Sequence, residues 1–593
     1  MAPLGLILLK TTSEELACPR EDLSVARILE TIWDKHIVTA ATPPPSPTSG
    51  DSVELLSSLL QGPVSSKLQS QPIPLLDPDS LQLCSLALEC LAHLFSWIPL
   101  STSITPSLMD TIFHFARFGC DLRSAGGLKS KLGPYSSLFS PSSSNGTGGS
   151  ASLLSSGPAS DSPQPHSGSR VDRAYLGVLA MTCVNELISK NCVPLDFEEY
   201  LLRMFQQTFF LLQKLTRENN AHSVRSRLEE LDESYVEKFT DFLRLFVSIH
   251  LRRIESNPQF PVLEFLALLF KYTFHQPTHE GYFSCLDIWT IFLDYLTTKI
   301  KSRLADRDSM LNRYKDALVL LLREVLNRIQ FRYNQAQLEE LDDEELDDDQ
   351  QTEWQRYLRQ SLEVVAKVME LLPSHAFSAL YPVLQENLDV YLGLRQFIVT
   401  TGTGQRLTVT AENDCRRLHC TLRDLSSLLQ AVGRLAEYFI GDVFAARFND
   451  ALTVVERDGG QRRQGKLVEV TCYGSQINLY DLETAVPSVL KPDLIDVHAQ
   501  SLAALQAYSH WLAQFYSEVQ RQNQTRFVTL ITSTMDASAP LISAKVPEKL
   551  LLSACHLMVS IATTVRPIFL VTLPAVQNIL TWLQTAWLVS FPL

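Results

Sequence analysis

The sequence predicts an all-α fold, a HEAT/armadillo-type helical-repeat solenoid in which paired helices stack into an α-α superhelix. Three observations carry that prediction. Apolar residues recur at helical spacing through most of the chain, and alternating strand patterns are nearly absent. The helices, roughly sixteen of them, are commonly joined in pairs of about 40–50 residues, the period of HEAT and armadillo units. With 593 residues, 45% hydrophobic and 20% charged, a wholly disordered or collagen-like chain is excluded. Length alone would suggest roughly four domains. A solenoid removes that division, because each repeat packs only on its neighbours.

Taken in order, residues 1–41 read as a partial N-terminal helical segment. Its start, MAPLGLILLK, lacks the basic region and the small-residue cleavage site of a signal peptide. Residues 42–79 read as a Pro/Ser-rich linker with a short helix, opening on the proline-locked TPPPSPT of Thr42–Thr48. Residues 80–123 form a helical repeat. Residues 124–170 are dominated by Ser, Gly and Pro. They cannot bury enough apolar surface to offset ordering their backbone, so they are predicted to be a disordered insertion.

Residues 171–580 read as the main HEAT-repeat solenoid. One apolar stripe runs through Leu311, Tyr314, Leu318, Leu322 and Ile329, a second through Trp354, Leu358, Leu362, Val365 and Leu372, and a third through Leu422, Leu425, Leu429 and Phe439. Breaks fall at Asn257-Pro258, Pro373-Ser374 and Lys491-Pro492-Asp493, where the aspartate is placed to cap the helix that follows. The best strand pattern, RLTVT at Arg406–Thr410, is short. Two features interrupt the helices. Residues 339–349 read EELDDEELDDD, nine acids among eleven residues, and charge at that density predicts a loop or frayed helix end. Residues 458–465 read DGGQRRQG, an insertion between the helical segments Leu452–Arg457 and Lys466–Ser475.

Residues 581–593 form an atypical apolar tail. No charged residue follows Arg566. Pro567, Pro574, Gln577, Asn578 and Gln584 would all be buried by a spanning helix, so a core helix and an apolar tail are expected, with no membrane insertion.

Charge and cysteine usage narrow the classes further. Lys and Arg total 51 and Asp and Glu total 65, a formal net charge of −14. That balance opposes a nucleic-acid footprint, which needs a positive face. The 11 cysteines show no paired framework, which predicts free thiols in a reducing compartment. No phosphate-binding loop, GxSxG elbow or HExxH occurs. His275, His279 and Cys285 lie near one another, but Pro277 breaks the helical spacing that two histidine ligands would need. Cys415 and His419-Cys420 lack a second ligand pair. The reading is therefore not an enzyme, with no cofactor and no catalytic, cofactor-binding or metal residue assigned. A solenoid's long surface makes binding of a large macromolecule the default function.

Longer stretches add to this. ALECLAHLFSWIPLS (Ala87–Ser101), FHQPTHEGYFSCLDIW (Phe274–Trp289), WQRYLRQSLEVVAKVMELLPSHAF (Trp354–Phe377), AENDCRRLHC (Ala411–Cys420), GDVFAARFNDALTVVER (Gly441–Arg457) and DLIDVHAQSLAALQAYSHWL (Asp493–Leu512) resemble nuclear export receptors of the importin-β (karyopherin) family. The resemblance covers nearly the whole chain outside Ser124–Ser169 and Asp458–Gly465. It implies a receptor that binds protein cargo together with the GTP form of the small GTPase Ran, passes nuclear pore proteins, and shuttles between nucleus and cytoplasm. The cargo it implies first is actin carried with profilin.

Acidic loops in this family can touch Ran. By matching such a loop, Asp342, Asp343, Glu344, Glu345, Asp347, Asp348 and Asp349 become the candidate Ran- or partner-contacting residues. Family members extend further at both ends, so the resemblance implies a chain truncated at both. The region that usually engages Ran first would lie upstream of Met1. The alternative reading is a Ran-independent helical-repeat scaffold or adaptor for protein–protein interaction.

Overall fold

The computed structural model describes residues 27–34, 73, 76–97, 104–120, 173–190, 198–218, 223–302, 306–341, 352–401, 404–409, 411–455, 467–477, 490–518, 524–543, 546–565 and 567–581. Among them the fold is all-α with one small hairpin. By contact it divides into two compact units. The first is 1–249 with 275–277, and the second is 250–274 with 278–593.

The first unit holds α1 (27–34), α2 (Pro78–Trp97), α3 (Pro106–Ala116), α4 (Arg173–Ile188), α5 (Glu198–Thr216), α6 (Val224–Glu230) and α7 (Glu233–Leu245). Helix starts follow their sequence. The Thr105 hydroxyl accepts from Leu108 N at 3.2 Å, with Pro106 at the first helical position, where the missing N–H costs nothing. Ser223 and Asp232 cap α6 and α7 in the same way.

α4 is apolar around most of its circumference and sits at the centre, packed by α2, α3 and α7. A glycine lets it come close. A Cβ on Gly177 would lie 2.4 Å from Gly119 N, and one on Gly119 would enter the Tyr235 ring at 2.1 Å. Tyr235 donates to Ala116 O at 2.9 Å and meets Cys120 Sγ at 3.3 Å, so its buried hydroxyl is satisfied. Trp33 stacks on His114 at 4.5 Å between ring centroids.

The second unit contains α8 (Val262–Phe274), α9 (His279–Ser302), α10 (Arg307–Arg328), α11 (Phe331–Glu340), α12 (Glu353–Leu371) and α13 (Pro373–Leu392). The hairpin strands β1 (Ile398–Thr401) and β2 (Gly404–Leu407) follow. Then come α14 (Glu412–Arg434), α15 (Phe444–Val455), α16 (Leu467–Ile477), α17 (Leu490–Ala507), α18 (Ser509–Glu518), α19 (Gln524–Ser538) and α20 (Glu548–Thr564).

Five helix pairs stack as a ladder: α8 with α9, α10 with α12, α13 with α14, α16 with α17, and α19 with α20. The first members pack on one another in one row, α8–α10–α13–α16–α19. The second members form a parallel row, α9–α12–α14–α17–α20. This is the helical-repeat solenoid the sequence predicts, each helix burying one stripe against its partner and its row neighbours. The predicted stripes supply buried residues: Tyr314, Leu318 and Leu322 on α10, and Leu422, Leu425 and Leu429 on α14.

Three local expectations change. The described helices outnumber sixteen. Asp493 is no cap: α17 begins at Leu490, which places Asp493 inside the first turn. It is 3% exposed there, and its carboxylate meets His419 Nδ1 on α14 at 2.6 Å. The strand signal at Arg406–Thr410 is one arm of a hairpin, and its partner at Ile398–Thr401 carries no alternating pattern. The register pairs Ile398 with Leu407 and Thr401 with Gly404.

The predicted disordered insertion, the Pro-rich stretch at 42–48 and the insertion at 458–465 lie outside the described residues. So does the tail from 582 onward. Among the described residues no helix is long and apolar enough to cross a membrane.

Candidate functional site

The second row of the ladder opens a groove of about 1150 Å³ across α12, α14 and α17, reaching Ser560 of α20. Its floor is made of small residues: Ala366, Gly433, Ala503, Ala504 and Ala507. They are small because α14 and α17 run close. A Cβ on Gly433 would stand 3.7 Å from Ala504 Cα and 3.7 Å from Ala507 Cβ. The rim is charged and of both signs. Arg359 and Glu363 rise from α12, Arg434 ends α14, and Glu437 and His510 follow nearby. All five are exposed. Lys367 and Glu370 on the same rim are tied to α9, Lys367 Nζ to Asp294 at 2.5 Å and Glu370 to Lys301 at 3.0 Å.

The groove exceeds the roughly 300–1,000 Å³ usual for small-molecule sites, and its rim has no convergent polar cluster. Mixed charge over a shallow apolar floor fits the polar rim of a protein–protein contact.

Two buried carboxylates tie helices of this unit together elsewhere. Glu255, 2% exposed, accepts hydrogen bonds from Lys299 and Tyr314, from Tyr295 at 3.1 Å and from Arg313 at 3.3 Å. Burial alone would raise its pKa, but the bonds from Lys299 and Tyr314 outweigh it and keep the carboxyl below its ordinary range. Asp424 on α14, 1% exposed, accepts from Phe331 N at 2.5 Å and Arg332 N at 3.2 Å, which fixes the start of α11 onto α14. Here burial wins over the two backbone donors and the nearby Arg332 and Arg423, and the pKa rises to about 7. Arg423 adds a lid of its own, lying over both the Phe331 ring at 5.1 Å and the Trp354 ring at 5.4 Å.

Asp342, Asp343, Glu344, Glu345, Asp347, Asp348 and Asp349, predicted from the sequence, lie outside the described residues. The two helices that flank them are described. α11 ends at Glu340, and α12 starts with a capping box in which Thr352 and Gln355 each bond the other's backbone N–H. Sequence reasoning missed the groove, since its walls come from helices far apart in the chain. It also passed over Asp424 and Glu255, whose only signal was an acid on an otherwise apolar helical face.

The histidine and cysteine sets singled out in the sequence have protein partners. His279 Nδ1 meets Gln337 Nε2 at 3.2 Å, and His419 faces Asp493. Cys285 is fully buried. No cluster of metal-ligating type is found among the described residues, and the nine described cysteines are free.

The fold and groove thus define an all-α helical-repeat protein of the solenoid class. No family model matches the sequence. Curated relatives do. The chain is 73% identical to exportin-6 of Homo sapiens over 598 residues, which is 97% of this chain and 50% of that protein. It is 68% identical to exportin-6 of Danio rerio over 607 residues, 98% of this chain and 50% of that one. Exportin-6 of Dictyostelium discoideum is 28% identical over 500 residues, 83% of this chain and 39% of the relative. The resemblance is therefore to exportin-6 in particular, and it runs along nearly the whole chain. The chain spans about half the length of the vertebrate relatives it matches.

Proposed function

We propose that this chain is a segment of a nuclear export receptor that carries protein cargo, profilin-bound actin first, out of the nucleus in a Ran-GTP-dependent manner. The observation that carries the reading is the 73% identity to exportin-6 of Homo sapiens along 97% of the chain. It is a carrier and not an enzyme on this reading, and it shuttles between nucleus and cytoplasm past nuclear pore proteins. The second-row groove supports it, as an open, mixed-charge surface suited to a protein ligand. The acidic residues Asp342–Glu345 and Asp347–Asp349 are proposed as a contact for Ran or another basic partner, where clustered acids would speed association and favour complementary surfaces.

Two ligands on one ladder can be coupled. Each repeat contributes a small rotation relative to the next, so two partners that favour the same set of rotations reinforce each other. A coupling of about 1–3 kcal/mol is the general expectation for such linkage. The test is a pull-down on the full chain with Ran loaded with GTP or GDP, with and without profilin–actin. Capture favoured by the GTP form and strengthened by cargo is expected. Cargo capture indifferent to Ran and its nucleotide would instead identify a Ran-independent scaffold.

A further inference from the structure

The groove across α12, α14 and α17 displays charges that no neighbour has taken. Arg359 and Glu363 stand one turn apart on α12, Arg434 ends α14, and Glu437 follows it. Among the described residues none of the four has an ion-pair partner, whereas Lys367 and Glu370 beside them are tied to α9. Elsewhere the same spacings do close. Arg225 pairs with Glu229 and Arg416 with Glu412 at four residues, and Arg447 with Asp450 at three. Exposed charges left open around an apolar floor are available to the opposite charges of a partner.

These charges have an order along the groove, because its three helices run the same way. α14 meets α17 near its start at His419 and Asp493, and near its end at Val432 and Tyr508. α12 and α14 meet near their starts through Trp354 and Arg423, and both line the groove further along. Arg359 therefore stands at one end and Glu437 at the other, with Glu363 and Arg434 between them. The dimensions select the shape of the occupant. The longest wall, Arg359 to Glu370 on α12, runs about 16 Å at a rise of about 1.5 Å per residue. A volume of about 1150 Å³ holds about 15 Å of a rod about 10 Å across, the width of a helix with its side chains, and that length is about ten residues. The same ten residues as a strand would run about 33 Å, twice the length of the wall.

Resting on the reading of this groove as a protein-binding surface, we propose that its occupant is one amphipathic helix of a partner, about ten residues long. Its apolar face lies on the floor, an acid in its first turn meets Arg359, and a base in its last turn meets Glu437. That is also the polarity a helix prefers, with acids near its N-terminus and bases near its C-terminus, so the guest lies parallel to α12, α14 and α17. The probes are two stapled, fluorescein-labelled helical peptides of about twelve residues, each with one leucine face. One carries glutamates in its first turn and lysines in its last, and the other exchanges them, so composition and net charge are equal. By fluorescence anisotropy on the full 593-residue chain, the first should bind at least about tenfold more tightly. The Arg359→Glu/Glu437→Arg variant, changed only at exposed positions, should reverse the preference. Ala503→Trp, which fills the floor, should remove binding of both peptides, and an unchanged melting temperature reports that each variant is folded. Equal binding of the two peptides, no binding of either, or a preference that the charge exchange leaves in place would overturn the proposal. Neither Ran nor cargo enters this measurement, so its failure leaves the export reading to be judged by its own pull-down.

Discussion

Gly119, Gly177 and Gly433 all lie against neighbouring elements, yet they answer different demands. At Gly119 and Gly177 an added methyl would fall well inside contact distance, against the Tyr235 ring and the Gly119 backbone. The Gly119 backbone cannot move without shifting α3 and α4 together. Gly177→Ala should therefore cost about 1–3 kcal/mol of stability, the range for forcing extra volume into a packed core. At Gly433 the methyl would meet its neighbours at ordinary contact distance. Gly433→Ala should be neutral, or stabilising by up to about 1 kcal/mol, because alanine loses less backbone entropy in a helix. Thermal melting of the two variants checks the contrast, and a Gly433→Ala loss as large as that of Gly177→Ala would refute it. Gly441 is a different case again. Its φ of 70° lies in the left-handed region, and its N–H is held by Gln514 Oε1 at 2.8 Å.

At the scale of the element, α11 shows a helix placed by a side chain from elsewhere. Its first two N–H groups are taken by Asp424, 93 and 92 residues further along the chain. Unfolded aspartate ionises near 3.8, whereas folded Asp424 keeps its proton up to about 7. Between those values the folded chain binds more protons than the unfolded one, so this group's contribution to stability falls as pH rises from 4 to 7. Asp424→Asn should flatten that fall. The measurement is the change in melting temperature between pH 5 and pH 7.5, which should be more negative in wild type than in the variant. Buried His114 and His498 slope the other way. Burial lowers both to about 4, so they favour folding at pH 6.5 and lose that contribution as pH falls toward 4.

The sequence announces some of these elements and hides others. α10, α12 and α14 were legible because a core stripe at 3.6-residue spacing is written in consecutive residues. The first strand of the hairpin was not, because Ile398–Thr401 gains its pairing only from β2. Asp493 was misread because a helix-capping acid and a buried ion-pair acid look alike until His419, 74 residues away, is placed beside it. The groove was illegible for the same reason on a larger scale, since no single helix contains it.

Across the second unit as a whole, the groove is the surface proposed above for a protein partner. Exchanging its charges, Arg434→Glu with Glu437→Arg, keeps the net charge and touches no buried residue. If the groove carries the proposed cargo contact, the exchange should weaken capture of profilin–actin by about tenfold, the loss of one substantial contact. The melting temperature should be unchanged. Undiminished capture would move the cargo surface elsewhere on the ladder.

The junction of α14 and α17 has a mechanical consequence. Most helix pairs resist sliding because the ridges of one lock into the grooves of the other. Near the end of α14 the two meet over Gly433, Ala504 and Ala507, where there is little ridge to lock. Their register along the axis is pinned instead by polar contacts at the two ends: His419 against Asp493 at one, and the Tyr508 hydroxyl donating to Val432 O at 3.3 Å at the other. A smooth bearing with a latch at each end yields to shear before it yields to separation.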